Sequence, residues 1–158
     1  MTINIRRVVT GHDEQGRAKI MIDEMVTNSF SPRANAEFSV IWSSEGFPIS
    51  NDGFEDPSNK PIGTFINGGS VFRIVSFGVG VAPRNHRTDS LDYGVVMSGE
   101  IDMVMDIGTV RLKAGDVLVQ RGTVHDWVNN GTEPCIIAFS LISAKPVEID
   151  GKPLPAHG

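Results

Sequence analysis

The chain has one cysteine, Cys135, which excludes an intrachain disulfide and any cluster of thiolate metal ligands. That cysteine sits in the apolar run CIIAFSL, where it reads as buried packing and not as a nucleophile. Basic residues are also in short supply. Fourteen Lys and Arg stand against 19 Asp and Glu, a formal net charge of -5. A nucleic-acid backbone or an anionic membrane needs a clustered basic surface, so neither is expected as a partner. No run approaches the length of a membrane span, and MTINIRRVV lacks the apolar core of a signal peptide. A soluble, cytoplasmic protein is the expectation. Serine-histidine-acid order, phosphate loop and dinucleotide fingerprint are all missing. No long segment repeats apolar residues at helical spacing, which argues against an α-helical or α/β fold.

What is present is a series of short runs rich in Val, Ile, Phe and Met, broken by Gly, Pro, Asn and Asp. At 158 residues the chain forms one domain, large enough for a full core. RRVVTG and AKIMIDE flank the turn-rich HDEQG and predict an N-terminal hairpin, and AEFSVIWSS a third strand. The expected organisation is N-terminal strands over 1–45, a Gly- and Pro-rich flap over 46–69, closely spaced strands over 70–145, and a tail over 146–158 that ends as an arm or frays. Many short strands separated by turn residues indicate an all-β sandwich or barrel.

Two of these strands are unusually polar. Side chains alternate along a strand, so His125, Trp127 and Asn129 share one face, as do His86 and Thr88, and Asp92 rejoins that face beyond Asp89-Ser90. Two histidines and a carboxylate converging inside a barrel would form a metal site of the two-His-one-carboxylate kind, suited to zinc, iron, manganese, nickel or copper. Metal ligation is expected from His86, Asp92 and His125, with Asp92 and His125 also the catalytic candidates. His12 and His157 are expected to be exposed and idle.

The spacing resembles the cupin superfamily. Its first motif is Gly, five residues, His-x-His, three or four residues, Glu, six residues, Gly; here Gly80, five residues, His86-x-Thr88, three residues, Asp92, six residues, Gly99. Its second is Gly, five residues, Pro-x-Gly, two residues, His, three residues, Asn; here Gly115, four residues, Gln120-x-Gly122, two residues, His125, three residues, Asn129. The resemblance is to small single-domain cupins and implies a single all-β jelly-roll barrel, pairing as a homodimer through the N-terminal strands. It departs from the metal-binding pattern at Thr88, a poor transition-metal ligand, and at Asp92, whose carboxylate starts about 1.3–1.5 Å further back than that of glutamate.

Thr88, Trp127, Arg73 and Gln120 are the expected substrate-pocket residues, and Arg84 stands beside them. Arg87 is expected to point away, and Arg121 to pair with Asp92 or Asp116. Trp42 and Phe77 are weaker candidates, and Met97, Met103 and Met105 could line a wall. An inward guanidinium would bind a carboxylate or enolate through two parallel hydrogen bonds. The implied function is a metal-dependent enzyme acting on a small oxygenated organic acid or polyketide-like compound. Its chemistry would be decarboxylation, elimination or isomerisation, or that of a dioxygenase. The alternative is a non-catalytic small-molecule-binding cupin with a degenerate metal site.

Overall fold

The computed structural model describes residues 3–158. Strands make up the regular structure of the described residues: β1 (Arg6–His12), β2 (Ala18–Met25), β3 (Phe30–Arg33), β4 (Ala36–Glu45), β5 (Gly69–Phe77), β6 (Ser90–Ser98), β7 (Glu100–Val104), β8 (Thr109–Lys113), β9 (Val117–Arg121), β10 (Asp126–Val128), β11 (Cys135–Ser143), β12 (Glu148–Ile149) and β13 (Lys152–Pro153). No helix among them is long and apolar enough to cross a membrane.

Two sheets form the barrel walls. One has six strands in the order β3-β4-β5-β11-β6-β9, the other three in the order β10-β7-β8. Alternation along each strand fills the space between them. On β11, Cys135, Ile137, Phe139 and Leu141 are buried; on β6 the buried set is Ser90, Asp92, Gly94 and Val96. The main core cluster joins Val71, Val75, Ile137 and Phe139 of the large sheet to Ile101, Met103, Leu112 and Trp127 of the small sheet and its strands. Shared burial of this kind holds the sheets face to face. The inner face of β6 therefore changes character along its length. It is apolar at Val96, in the core, and polar at Ser90 and Asp92, toward the barrel mouth.

Gly99 makes the tight turn from β6 to β7. Its φ is +73°, and an added Cβ would lie 2.4 Å from the Pro134 carbonyl oxygen, so no larger residue fits there. The N-terminal hairpin β1–β2 is a separate two-stranded sheet that leaves Val8, Ile20 and Met25 exposed. Its tether is Arg7, buried at 5% exposure, which donates to the Ile41 carbonyl, to Asp56 and to Glu24. The stretch expected as a flap has no strand between β4 and β5, and Arg73 Nη2 fastens it by donating to the carbonyls of Gly63 and Thr64 at 2.6 and 2.8 Å.

The tail, expected as an arm or a frayed end, is an arm. Instead of fraying, it forms the small hairpin β12–β13 and then returns to the barrel mouth. There His157 and Arg87 exchange two backbone hydrogen bonds, at 2.9 and 3.1 Å, and the Gly158 carbonyl accepts from Arg84 Nη2 at 2.8 Å. His157 is thus exposed as a side chain but structural as backbone.

Candidate functional site

His86 and His125 lie directly opposite each other on two adjacent extended segments. The backbone N–H of each donates to the carbonyl of the other at 3.0 Å, forming an isolated antiparallel bridge. A directly opposed pair projects both side chains to the same face, and the two rings meet with centroids 4.3 Å apart. Both are buried, at 7% and 2% exposure.

Each ring is held at one nitrogen. His86 Nδ1 donates to the Arg84 carbonyl and His125 Nδ1 to the Thr123 carbonyl, both at 2.9 Å. A carbonyl oxygen only accepts, so Nδ1 carries the proton and Nε2 keeps a free lone pair. Burial favours this neutral form, pushing His86 down to about 4 and His125 down as well. Two neutral imidazoles, each oriented by a carbonyl on its second nitrogen, have the chemistry of metal donors.

Asp92 faces the same pocket but has other partners. Its Oδ1 accepts from Ser90 Oγ at 2.6 Å and its Oδ2 from Gln120 Nε2 at 2.7 Å. Gln120 reaches it because the β6–β9 register sets Asp92 opposite Gln120. Since the Ser90 proton goes to Asp92, Thr88 Oγ1 is the donor in its 2.8 Å contact with Ser90 Oγ. Burial, only partly opposed by these bonds and by Arg73, raises the Asp92 carboxyl above the ordinary carboxylate range.

The ligand set expected from the sequence is therefore brought to one pocket without being assembled. Among the described residues no three His, Cys, Asp or Glu side chains are grouped to hold an ion. His86 and His125 fit a divalent metal as a pair of donors, whereas the Asp92 carboxylate is turned to Ser90 and Gln120. Thr88 likewise serves as a hydroxyl donor.

The surrounding cavity holds about 50 Å³ and takes its walls from both barrel sheets and from the loop after β4. Trp127 forms an apolar side of it, stacked on Phe77 with centroids 5.5 Å apart and edge-on to His125 at 5.6 Å. Arg73, Thr88, Trp127 and Gln120 all line the cavity, together with Phe77 and Arg84. Trp42 does not; its ring lies 6.3 Å from Phe54, away from the site. Met97 is exposed and Met103 is core. Arg121 is exposed and makes no pair with Asp92, whose oxygens are already taken. The residue that sequence reasoning missed is Arg33, at the end of β3, which also lines the cavity.

Comparison with known proteins agrees with this barrel. The family model described as "Cupin domain" matches residues 73–142. Phomopsin biosynthesis cluster protein D of Diaporthe leptostromiformis is 54% identical over 60% of this chain and 51% of its own length, so this chain spans about half of that relative. The cupin-domain-containing oxidoreductase fogC of Aspergillus ruber is 35% identical over 96% of this chain and 78% of its own length. Among solved structures, the cupin domain of Cnp3 from Schizosaccharomyces pombe matches 87% of both chains with a TM-score of 0.51 at 12% identity, which supports the fold alone. With the opposed histidines at the mouth of a jelly-roll barrel and a cupin-domain relative aligned along 96% of this chain, the chain belongs to the cupin family of conserved β-barrel proteins.

Proposed function

We propose that the chain is a cupin-type oxidoreductase acting on a small oxygenated organic compound at the His86–His125 face of the barrel pocket. The observation that carries this is the histidine pair: two buried neutral rings, 4.3 Å apart, each with Nδ1 committed and Nε2 free. The names of relatives such as fogC support oxidation over the lyase chemistry that the fold also allows.

His86 and His125 would hold a divalent transition metal through Nε2. A redox-active ion held there would supply electron transfer. The chain's own residues do the rest. Trp127 and Phe77 exclude water from one side of the pocket. Asp92, with its carboxyl raised by burial, takes or returns a proton at Oδ2 once Gln120 yields that position. A cavity of about 50 Å³ has room for three to five water-sized positions at roughly 10–15 Å³ each. It therefore admits the oxygenated end of a substrate, and any longer body of a polyketide-like molecule extends through the mouth.

The test is metal uptake followed by turnover. Protein stripped with chelator takes up about one divalent ion per chain from zinc, iron, manganese, nickel or copper. His86→Ala and His125→Ala abolish uptake, and Thr88→Val retains it. The iron- or copper-loaded wild type then consumes oxygen in the presence of small oxygenated acids or aldehydes. Negligible uptake of all five metals would refute the metal-dependent reading. Uptake without turnover would favour the non-catalytic binder, a reading supported by the full occupation of Asp92.

A further inference from the structure

Seven buried side-chain nitrogen and oxygen atoms among the described residues have no hydrogen-bond partner, and four of them belong to three residues of this one pocket. They are Arg33 Nε, Arg33 Nη1, Arg73 Nε and Gln120 Oε1. Buried polar atoms without partners are costly, and native proteins leave few of them unless a ligand or water completes the set. Arg73 and Gln120 are each 4% exposed, so bulk solvent does not satisfy them.

The charges show the same imbalance. Arg33, Arg73 and Arg84 line the cavity against a single carboxylate, Asp92. None of the three is in an ion pair among the described residues. The acids close by have other partners: Asp92 bonds Ser90 and Gln120, and Asp126 Oδ1 accepts the backbone N–H groups of Arg84 and Trp127. Arg84 repels both Arg33 and Arg73, and burial weakens the protonated form of all three guanidinium groups. Arg73, pushed down to about 10, is still a cation at neutral pH.

We propose that Arg33 and Arg73 form a carboxylate subsite, with Arg84, whose Nη2 is held by Thr64 and Gly158, adding positive charge beside it, and that Gln120 Oε1 accepts a hydroxyl of the same molecule, so that the pocket selects small hydroxy acids. Three unpartnered donors on guanidinium groups match an anion with two acceptor oxygens. Gln120 Oε1, an unpartnered acceptor beside these donors, asks for a donor in the ligand, which a simple carboxylate lacks. This inference rests on the pocket being the substrate site, and it names the class of substrate.

The experiment uses metal-free, chelator-treated full chain in low-chloride buffer. The probes are glycolate, its neutral analogue glycolamide, and acetate, which keeps the charge but lacks the hydroxyl. Binding is read by calorimetry and by the arginine Nε–H resonances in the NMR spectrum of 15N-labelled protein. Glycolate should bind about tenfold or more tighter than glycolamide, and tighter than acetate by a smaller factor. Arg33→Met should weaken glycolate about tenfold to a hundredfold without lowering the thermal melt, because the Arg33 guanidinium makes no hydrogen bond among the described residues. Arg33→Lys should recover part of the loss. Arg73 also fastens the loop at Gly63 and Thr64, so its variant is a less clean test. Equal binding of glycolate and glycolamide, no binding of glycolate at all, or an unchanged affinity in Arg33→Met would each overturn the proposal. Charge-selective binding without turnover leaves the subsite standing and removes the oxidoreductase reading. Turnover without charge selectivity does the reverse.

Discussion

Replacing Asp92 by glutamate keeps the charge and moves the carboxylate outward by about 1.3–1.5 Å, to the length usual at this position in metal-binding cupins. If the aspartate were merely a short ligand, the change would improve the site. The structure argues the opposite. Asp92 is 3% exposed, and its two oxygens sit 2.6 Å from Ser90 Oγ and 2.7 Å from Gln120 Nε2. A carboxylate displaced by more than an ångström keeps neither contact at hydrogen-bonding distance. Hydrogen bonds to a charged group are worth about 1.5–3 kcal/mol each, so losing both costs about 3–6 kcal/mol. The adjoining cavity accommodates the extra methylene, and attraction to Arg73 returns part of the loss. The net destabilisation is about 2–4 kcal/mol, a fall of about 1–2 M in urea midpoint.

Asp92→Asn provides the control. Asparagine keeps the acceptor for Ser90, and the Gln120 amide can turn to present its oxygen to the new NH₂ group. It also removes a buried charge. The cost should stay near 1 kcal/mol. Urea unfolding of metal-free wild type and both variants, followed by circular dichroism, gives the order. Asp92→Glu should be clearly the less stable variant although it is the one that conserves charge. An Asp92→Glu protein as stable as wild type, or more stable than Asp92→Asn, would refute the claim that the barrel is built around the short acid.

Two further outcomes follow from the buried charges. His86 is neutral in the fold and titrates at about 4 there against 6.5 when unfolded, so the unfolded chain binds the extra proton between those values. The stability it contributes is present above pH 6.5 and lost as pH falls toward 4. Metal-free protein should lose about 2–3 kcal/mol from this group after allowing for solvent screening, and His86→Gln should flatten that slope in urea melts. Asp56 is held at about 2 by Arg7, so its contribution is present above pH 3.8 and lost as pH falls toward 2. Asp56→Asn should cost about 1–2 kcal/mol at neutral pH and speed hydrogen exchange in the β1–β2 hairpin and the loop after β4, with the barrel strands unaffected.

The barrel was legible in the sequence because its signals are local. Turn residues separate the strands, and alternation with a period of two shows which side chains share a face. The same alternation brought out His86, His125 and Trp127. Arg33 escaped because nothing local distinguishes it. It lies in FSPR, far from both motifs, and reaches the pocket through the sheet order β3-β4-β5, a non-local property. The choice between an arm and a frayed end for the tail was open for a similar reason. Its polar, Pro-containing sequence reads as frayed, while the contacts that hold it are backbone bonds to Arg87 and a carbonyl offered to Arg84. Arg121 was expected to meet an acid because it is adjacent to Gln120, but neighbours on a strand point to opposite faces, and only one of them can enter the pocket.

The three departures from the metal-binding cupin pattern near this site are Thr88 for histidine, Asp92 for glutamate and Gln120 for proline. Taken one at a time, each looks like the decay of a metal centre. In the fold they touch one another, directly or through Ser90: Thr88 to Ser90, Ser90 to Asp92, and Gln120 to Asp92, at 2.8, 2.6 and 2.7 Å. Glutamate would overshoot Ser90. Proline at 120 would offer no side-chain amide to Asp92, and histidine at 88 would leave Ser90 without the hydroxyl that donates to it. Each change makes sense only beside the others, so together they form a continuous hydrogen-bonded wall in place of two metal ligands. That wall ends in the unpartnered Gln120 oxygen, while Arg33 and Arg73 hold unpartnered donors on the same cavity. The histidine pair keeps its free nitrogens in that cavity, so on the proposed reading the residues at the positions of two usual metal ligands serve to hold the substrate.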